Sequence, residues 1–319
     1  MIQILDKDLF LVRNHHQWEI RNRKDQLVLN KASGHVKILK EGYLTYETVS
    51  GIGLSHINRG KIVDPLYQNF SLTNINNTLI VEDFNHQLGL IDSLGNFLLP
   101  LRYDKIRCFE HCILAKKDRK WGLWSNTAQN IHSTKWDNFK LIDDTLLELT
   151  LKGHKYLYSI PLQKVILERY ATVEILAEDR LLFAKEVGFM GLINRKGDIL
   201  IADKYNDIQP FSKQLYRIQS AETQQWGLST LEDTIIATPE FDYIGVLNNT
   251  VAIVKKNGKS GIINYKGELI MKAIYSNLPL SNNTIKVKDA KNGLRVFIFN
   301  EAGQLEEQTV YKDFKSLKV

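Results

Sequence analysis

The sequence predicts an all-β chain built of nine tandem repeats, and three observations predict it. Glycine recurs at positions 53, 89, 122, 191, 227 and 261 in similar surroundings. Fourteen residues after each stands an aromatic residue: Tyr67, Tyr103, Trp136, Tyr205, Phe241 and Tyr275. Three residues further on, the side chain is apolar every time: Phe70, Ile106, Phe139, Ile208, Ile244 and Leu278. Two gaps then fill themselves. Tyr170 and Val173 imply an anchor at Tyr156, and Tyr311 and Phe314 imply one at Phe297. A weaker first copy has Glu19 at the anchor and Val36 at the apolar position. The anchors 19, 53, 89, 122, 156, 191, 227, 261 and 297 are spaced by 33 to 36 residues. A period this regular over the whole chain marks a repeat architecture, so residues 1–319 read as one repeat domain.

Each copy reads in order as strand, tight turn, strand, turn, strand, aromatic exit. Before the anchor lies a short apolar run such as Leu79-Ile-Val-Glu-Asp, Ile113-Leu-Ala-Lys-Lys or Val251-Ala-Ile-Val-Lys-Lys, with the length and composition of a strand. A tight turn follows, as at Asp118-Arg119-Lys120 or Asn257-Gly258-Lys259, and a second strand begins at the anchor. Three residues after the anchor the side chain is always polar: Asn22, His56, Asp92, Ser125, Ser159, Asn194, Thr230, Asn264 and Asn300. Six after it stands Gly95, Gly197, Gly267 or Gly303, with Gly60 one residue late and Asp25 and Asp233 in its place. Asn or Asp followed by glycine at this spacing predicts a type I turn closed by a left-handed residue. A third strand then carries Pro65, Pro100 or Pro239 in three copies. Proline cannot donate to a ladder, so these strands are expected to end there or to lie at an edge. The stretches Tyr205-Asn-Asp-Ile, Tyr103-Asp-Lys-Ile and Trp136-Asp-Asn-Phe read as a turn or short fourth strand leading into the next copy. Glycine at the anchor is expected to admit close packing, with the recurring aromatic as its neighbour.

The copies KDRKWGLWSNTAQNIHSTKWDNF, GFMGLINRKGDILIADKYNDI, NGKSGIINYKGELIMKAIYSNL and HQLGLIDSLGNFLLPLRYDKI, with Trp121-Gly122 and Trp226-Gly227, resemble the WG-repeat family of bacterial proteins. Only those two copies keep the tryptophan; Ile52, Leu88, Met190 and Ser260 replace it elsewhere. The resemblance implies a β-rich scaffold that binds other molecules, and it carries no catalytic residues over. The expected architecture is nine units of three or four short antiparallel strands, as an open curved superhelix or a propeller-like ring. The open form is favoured, because the copies begin and end in nearly the same phase and nine exceeds the usual blade number.

Composition narrows the function. The chain is 44% hydrophobic and 24% charged, as a globular protein is. No run approaches the roughly 18 apolar residues of a membrane helix. The first residues carry acidic groups and no sustained apolar stretch, unlike a secretory signal. A net charge of +6 permits weak attraction to nucleic acid, but no concentrated Lys/Arg run with interleaved aromatics supports it, and scattered surface lysine is the simpler reading. Cys108 and Cys112, the only cysteines, frame no disulfide scaffold and point to a reducing, cytoplasmic setting.

No catalytic, cofactor or metal site is expected. Cys108-Phe-Glu-His-Cys112 is the most tempting metal cluster, but a structural zinc wants four ligands, and in register the segment is an ordinary link between copies. All eight histidines fall between His15 and His154, at different repeat positions, mostly turns. The pairs Glu82-Asp83, Asp143-Asp144, Glu178-Asp179 and Glu232-Asp233 sit at expected strand ends and read as solvated turn residues. The leading reading is a non-catalytic scaffold that binds another protein. A binder of carbohydrate or cell-envelope ligands is an alternative, for which exposed Trp124 or Trp18 would be the best evidence. An enzyme with a central site is a third, favoured by acidic or histidine side chains clustered on one face. The irregular copy around Tyr156 reads as decayed, with a partner site as the alternative.

Overall fold

The computed structural model describes residues 2–6, 9–14, 17–32, 35–75, 77–177, 179–247, 250–278, 280–281, 284–288, 294–300 and 305–311. Gly303, Phe314, Glu178, His15 and the side chains of Trp18 and Tyr311 lie outside the described residues. The chain divides into two compact units, 1–165 and 166–319. Both are all-β, and every strand pairing among the described residues is antiparallel. The one helical element described is a single turn at Lys40–Gly42.

In the first unit, Ile2–Asp6, Leu9–Asn14, Gln17–Asn22 and Leu27–Ala32 pair in chain order as a four-stranded meander. Three more meanders follow over 36–67, 69–103 and 105–136, and Asn138–Asp143, Leu146–Leu151 and His154–Ser159 begin a fifth. In the second unit the later part of Lys164–Ala177 pairs with Arg180–Lys185, and Met190–Ile193 and Ile199–Pro210 follow. The strand Ile199–Pro210 serves two copies: up to Tyr205 it closes the sixth, and from Asp207 it opens the seventh against Leu215–Ser220. The eighth and ninth meanders run over 243–275 and 280–311. Each copy thus begins just after its predecessor's aromatic. The stretch read as a possible fourth strand is the first strand of the next sheet.

Burial follows from stacking. The second and third strands of a copy are apolar on both faces, as Cys112–Lys117 and Lys120–Ser125 are, because each face meets another sheet. One face of that pair, Ile113, Ala115 and Trp124, packs with Leu90, Leu99 and Tyr103 of the third copy. The other, Cys112, Leu114, Trp121 and Leu123, packs with Leu147, Leu149 and Tyr158 of the fifth. In the second unit, Leu228, Ala237 and Phe241 meet Ile244, Ala252 and Val254 in the same way. In the copies that form separate four-stranded sheets, the fourth strand lies at the outer edge and alternates, as Phe97–Tyr103 does. That edge position is what admits Pro65, Pro100 and Pro239, and the strands run through them to the aromatic. Tyr103, Trp136, Tyr170, Tyr205, Phe241 and Tyr275 are buried core rings, while Tyr67 is half-buried against Phe70.

The anchor glycine has a different cause from the one expected. Leu88 faces Tyr103 and Leu90 faces Leu99, so three residues of the fourth strand arch over the single Gly89. The same two-residue excess flanks Gly53, Gly122, Gly191, Gly227 and Gly261. A Cβ at Gly261 would lie 2.6 Å from the carbonyl oxygen of Met271 and 2.7 Å from the amide nitrogen of Ala273. At Gly89, Gly227 and Gly261 the nearest neighbour is the bulged backbone, and at Gly53, Gly122 and Gly191 it is a ring of the same sheet, Tyr46, Trp124 or Phe183; at none is it the recurring aromatic. At two of the anchors that lack glycine the bulge shrinks or disappears. Opposite Glu19 the excess is one residue, and through Phe297 the ladder is regular.

The turn after the third strand is as expected. Gly95, Gly197 and Gly267 donate to the carbonyls of Asp92, Asn194 and Asn264 and have φ between 84° and 89°. Asp25 and Asp233 adopt the same left-handed region at φ 59° and 55°. Asn194 Oδ1 accepts from the amides of Lys196 and Asp198, both at 2.9 Å, and Asn22, Asp92 and Asn264 do the same in their copies. Asn194→Ala removes the acceptor shared by two amides and should lower stability by about 1 kcal/mol, whereas Asn194→Asp should be nearly neutral. Urea denaturation of both variants measures this difference.

Candidate functional site

Antiparallel order fixes which loops meet. The links from first to second strand and from third to fourth strand share one edge of every meander. The hairpins between second and third strands lie at the opposite edge. On the first of these edges, copies three to five of the first unit surround a cavity of about 520 Å³. It is lined by Asn74 and Ile75, by Phe109, Glu110 and His111, by Asn126, and by Leu141, Asp144 and Ile160.

Each loop is held by local bonds. Thr73 Oγ1 accepts from the amide of Ile75 at 3.1 Å, and the Thr78 hydroxyl donates to the Ile75 carbonyl at 2.9 Å, so Asn74 is presented outward. The amide of Phe109 donates to the Cys112 carbonyl at 2.8 Å, closing a short link whose tip is Glu110-His111. The Phe109 ring meets Phe139 edge-on at 6.1 Å. Asn126 Nδ2 approaches the Glu110 carbonyl at 3.5 Å. Asp143 Oδ1 accepts from the amides of Thr145 and Leu146 at 2.8 and 3.0 Å, which turns Asp144 out. The Ile160 amide donates to Thr145 O at 2.9 Å, tying the last loop to its neighbour. Glu110, His111, Asn126 and Asp144 are exposed, over a floor of partly buried Phe109, Ile75 and Leu141 and buried Ile160.

The candidates raised by the sequence fall apart or fall inside. Cys108 ends a strand and Cys112, fully buried, starts the next; both are free thiols. Burial pushes the Cys108 thiol up to about 11 and the Cys112 thiol up to about 12, away from the thiolate that binds metal or attacks. Among the described residues no group of three or more His, Cys, Asp or Glu side chains is placed to hold a metal ion. Trp124, the exposed aromatic wanted for sugar stacking, is 5% exposed and packs edge-on against Tyr103 at 5.4 Å. It sits on the face of its strand that meets the previous sheet. Tyr156, at the irregular anchor, is half-buried with its ring on Trp136 at 5.4 Å.

The histidines do not gather. His56 ends the strand Gly51–His56 with its ring edge-on to Tyr43, His86 pairs with Glu82, and His111 lines the cavity. His132 lies on a fourth strand with its ring edge-on to Trp136 and Tyr158. Burial, and then the charge of Lys135, holds the His132 imidazole below its ordinary value. A histidine lowered in the folded state contributes stability that is full above the unfolded value and is lost as pH falls through the folded one. The 1–165 unit should therefore weaken as pH falls through the range below about 6.5, and His132→Phe should flatten that fall. Denaturation midpoints across that range measure it; His56, lowered first by burial and then by Arg59, keeps its own share.

Sequence comparison agrees with the repeat. The model of the WG containing repeat matches residues 89–121, 190–220 and 226–259, each match starting at or one residue before an anchor glycine. No curated protein matches the chain. Among solved structures, a eukaryotic initiation factor is similar at 10% identity over 97% of this chain and 96% of that one, with a TM-score of 0.29. PorZ, a surface component of the type-IX secretion system of Porphyromonas gingivalis, is 8% identical over 86% of this chain and 44% of that one, with a TM-score of 0.27. Hsv2p of Kluyveromyces lactis is 8% identical over 86% and 97%, with a TM-score of 0.25. Likeness at this level implies neither shared shape nor shared function. No helix among the described residues is long and apolar enough to cross a membrane.

Proposed function

For a chain that carries WG containing repeats, we propose a non-catalytic scaffold that binds another protein through the loop edge of copies three to five. The observation that carries this reading is the cavity itself: loops of three successive copies, each pinned by its own bonds, converge around an apolar floor with a polar rim. Repeat bodies present such extended edges, and side chains there vary while the framework residues repeat. Glu110, His111 and Asp144 do share this edge, the arrangement an enzyme would use. All three are exposed, however, and acid–base chemistry relies on groups shielded from water and aimed at one atom. The burial of Trp124 removes one of the two aromatics that would support a sugar platform; the other, Trp18, has its side chain outside the described residues. A reducing, cytoplasmic setting suits two free thiols.

The test is site-directed photocrosslinking in the native cell. A benzophenone side chain at His111 should capture a protein partner, and one at Arg119, on the opposite hairpin edge, should not. Capture at Arg119 alone, or no protein adduct at His111, would remove this reading.

A further inference from the structure

We propose that the cavity of copies three to five receives a lysine or arginine side chain from a basic segment of the partner, an inference that rests on the scaffold reading above. Between the strand ends, the loops at this edge are 73–78, 92–96, 109–111, 126–129, 144–145 and 160–163. They hold three carboxylates, Asp92, Glu110 and Asp144, and no lysine or arginine, in a chain whose net charge is +6; Asp143 and Lys164 stand at the flanking strand ends. The local sign is thus opposite to that of the whole. Opposite charge at an edge selects partners and speeds their encounter. Arg59 of the second copy reaches this edge at the Ser93 carbonyl, but its guanidinium is engaged there and on the Tyr43 hydroxyl, each at 3.1 Å.

The cavity is shaped for a long cationic side chain. Glu110 and Asp144 stand on its rim, and the amide oxygens of Asn74 and Asn126 add neutral acceptors. Ile75, Phe109, Leu141 and Ile160 form a floor on which a methylene stem can lie while the charged head stays at the rim. A bare metal ion does not suit the site. Among the described residues no group of three or more His, Cys, Asp or Glu side chains is placed to hold one. An anionic partner would meet the Glu110 and Asp144 carboxylates, so nucleic acid is disfavoured at this edge in spite of the net charge.

The probe is acetyl-Gly-Arg-Gly-amide, compared with its citrulline and glutamate counterparts, against the full chain labelled at isoleucine methyls. The arginine peptide should shift the Ile75 and Ile160 methyls in a saturable way, leaving Ile208 and Ile244 of the second unit in place. The neutral and acidic peptides should not. Exposed charge pairs are weak, so Glu110→Gln and Asp144→Asn should each reduce affinity about two- to fivefold, and high salt should do the same. Unchanged methyl positions in the free variants establish that they fold. If the citrulline peptide binds as well, if the double variant loses nothing, or if chitotriose moves these methyls and the arginine peptide does not, the cationic assignment is overturned. Capture of a protein at His111 without any response to the arginine peptide overturns this inference alone. Failure of both removes the scaffold reading as well.

Discussion

Trp136→Ala should destabilise the 1–165 unit by about 4 kcal/mol. The ring is 2% exposed and fills the layer between the fourth and fifth meanders, among Leu114, Leu123, Leu147 and Leu149. It touches Tyr156 edge-on at 5.4 Å and His132 at 5.9 Å, and Lys135 Nζ lies 4.7 Å from its centre. Its indole N–H finds no acceptor among the described residues, so the loss is one of packing and a lysine contact, not of a hydrogen bond. Close-packed layers collapse only partly around a missing ring, which adds a cavity term to the lost transfer energy. Trp136→Phe should recover most of the loss, since the equivalent place in the seventh copy is filled by Phe241. Urea unfolding followed by tryptophan emission reads the effect, because Trp121 and Trp124 report from the same unit. An alanine variant within about 1 kcal/mol of the parent would mean that the aromatic series is not core.

Gly261→Ala should cost about 3 kcal/mol, at the upper end of what overpacking costs. A methyl group there would meet the Met271 carbonyl oxygen at 2.6 Å and the Ala273 amide nitrogen and Cα at 2.7 and 2.9 Å. All three are backbone atoms of the bulged fourth strand, so no rotamer change relieves the contact. The constraint is space, because Gly261 does not lie in the left-handed region. Alanine would otherwise favour a strand interior by about 0.5–1 kcal/mol, so the sign itself is diagnostic. Glu19→Ala supplies the contrast. The strand opposite Glu19 has a shorter bulge, and the Glu19–Arg21 pair at 2.9 Å is partly solvated, so that change should cost under about 1 kcal/mol.

The period, the turn chemistry and the core rings were legible because each depends on residues close in sequence. Asn194 and Gly197 specify their turn by themselves, and Tyr205 recurs at a fixed distance from the anchor. The reason for the anchor was not legible. Gly261 announces a close approach, but the atoms that approach belong to Met271 and Ala273, and a bulge leaves no residue signature of its own. Phase was ambiguous for a related reason: Ile199–Pro210 is one continuous strand shared by two copies, so no turn separates them. The burial of Trp124 was not legible either. Strands buried on both faces lose the alternation that distinguishes inside from outside. The cavity gathers Asn74, Glu110 and Asp144 from three copies, which no local pattern joins. Its one trace in the sequence is the missing lysine and arginine in those loops, visible once the loops are known to share an edge.

The measurement closest to the central claim is amide hydrogen exchange along the chain. Nine copies of one meander predict slow exchange in the second and third strands of each copy, recurring with the 33 to 36 residue period, and fast exchange in the loops between them. The fourth-strand residues arched over each anchor glycine should exchange faster than the pairs that flank them, and the regular ladder at Phe297 should lack this gap. Protection without that period, or slow exchange across the arched residues at Gly89, Gly191 and Gly261, would contradict the account.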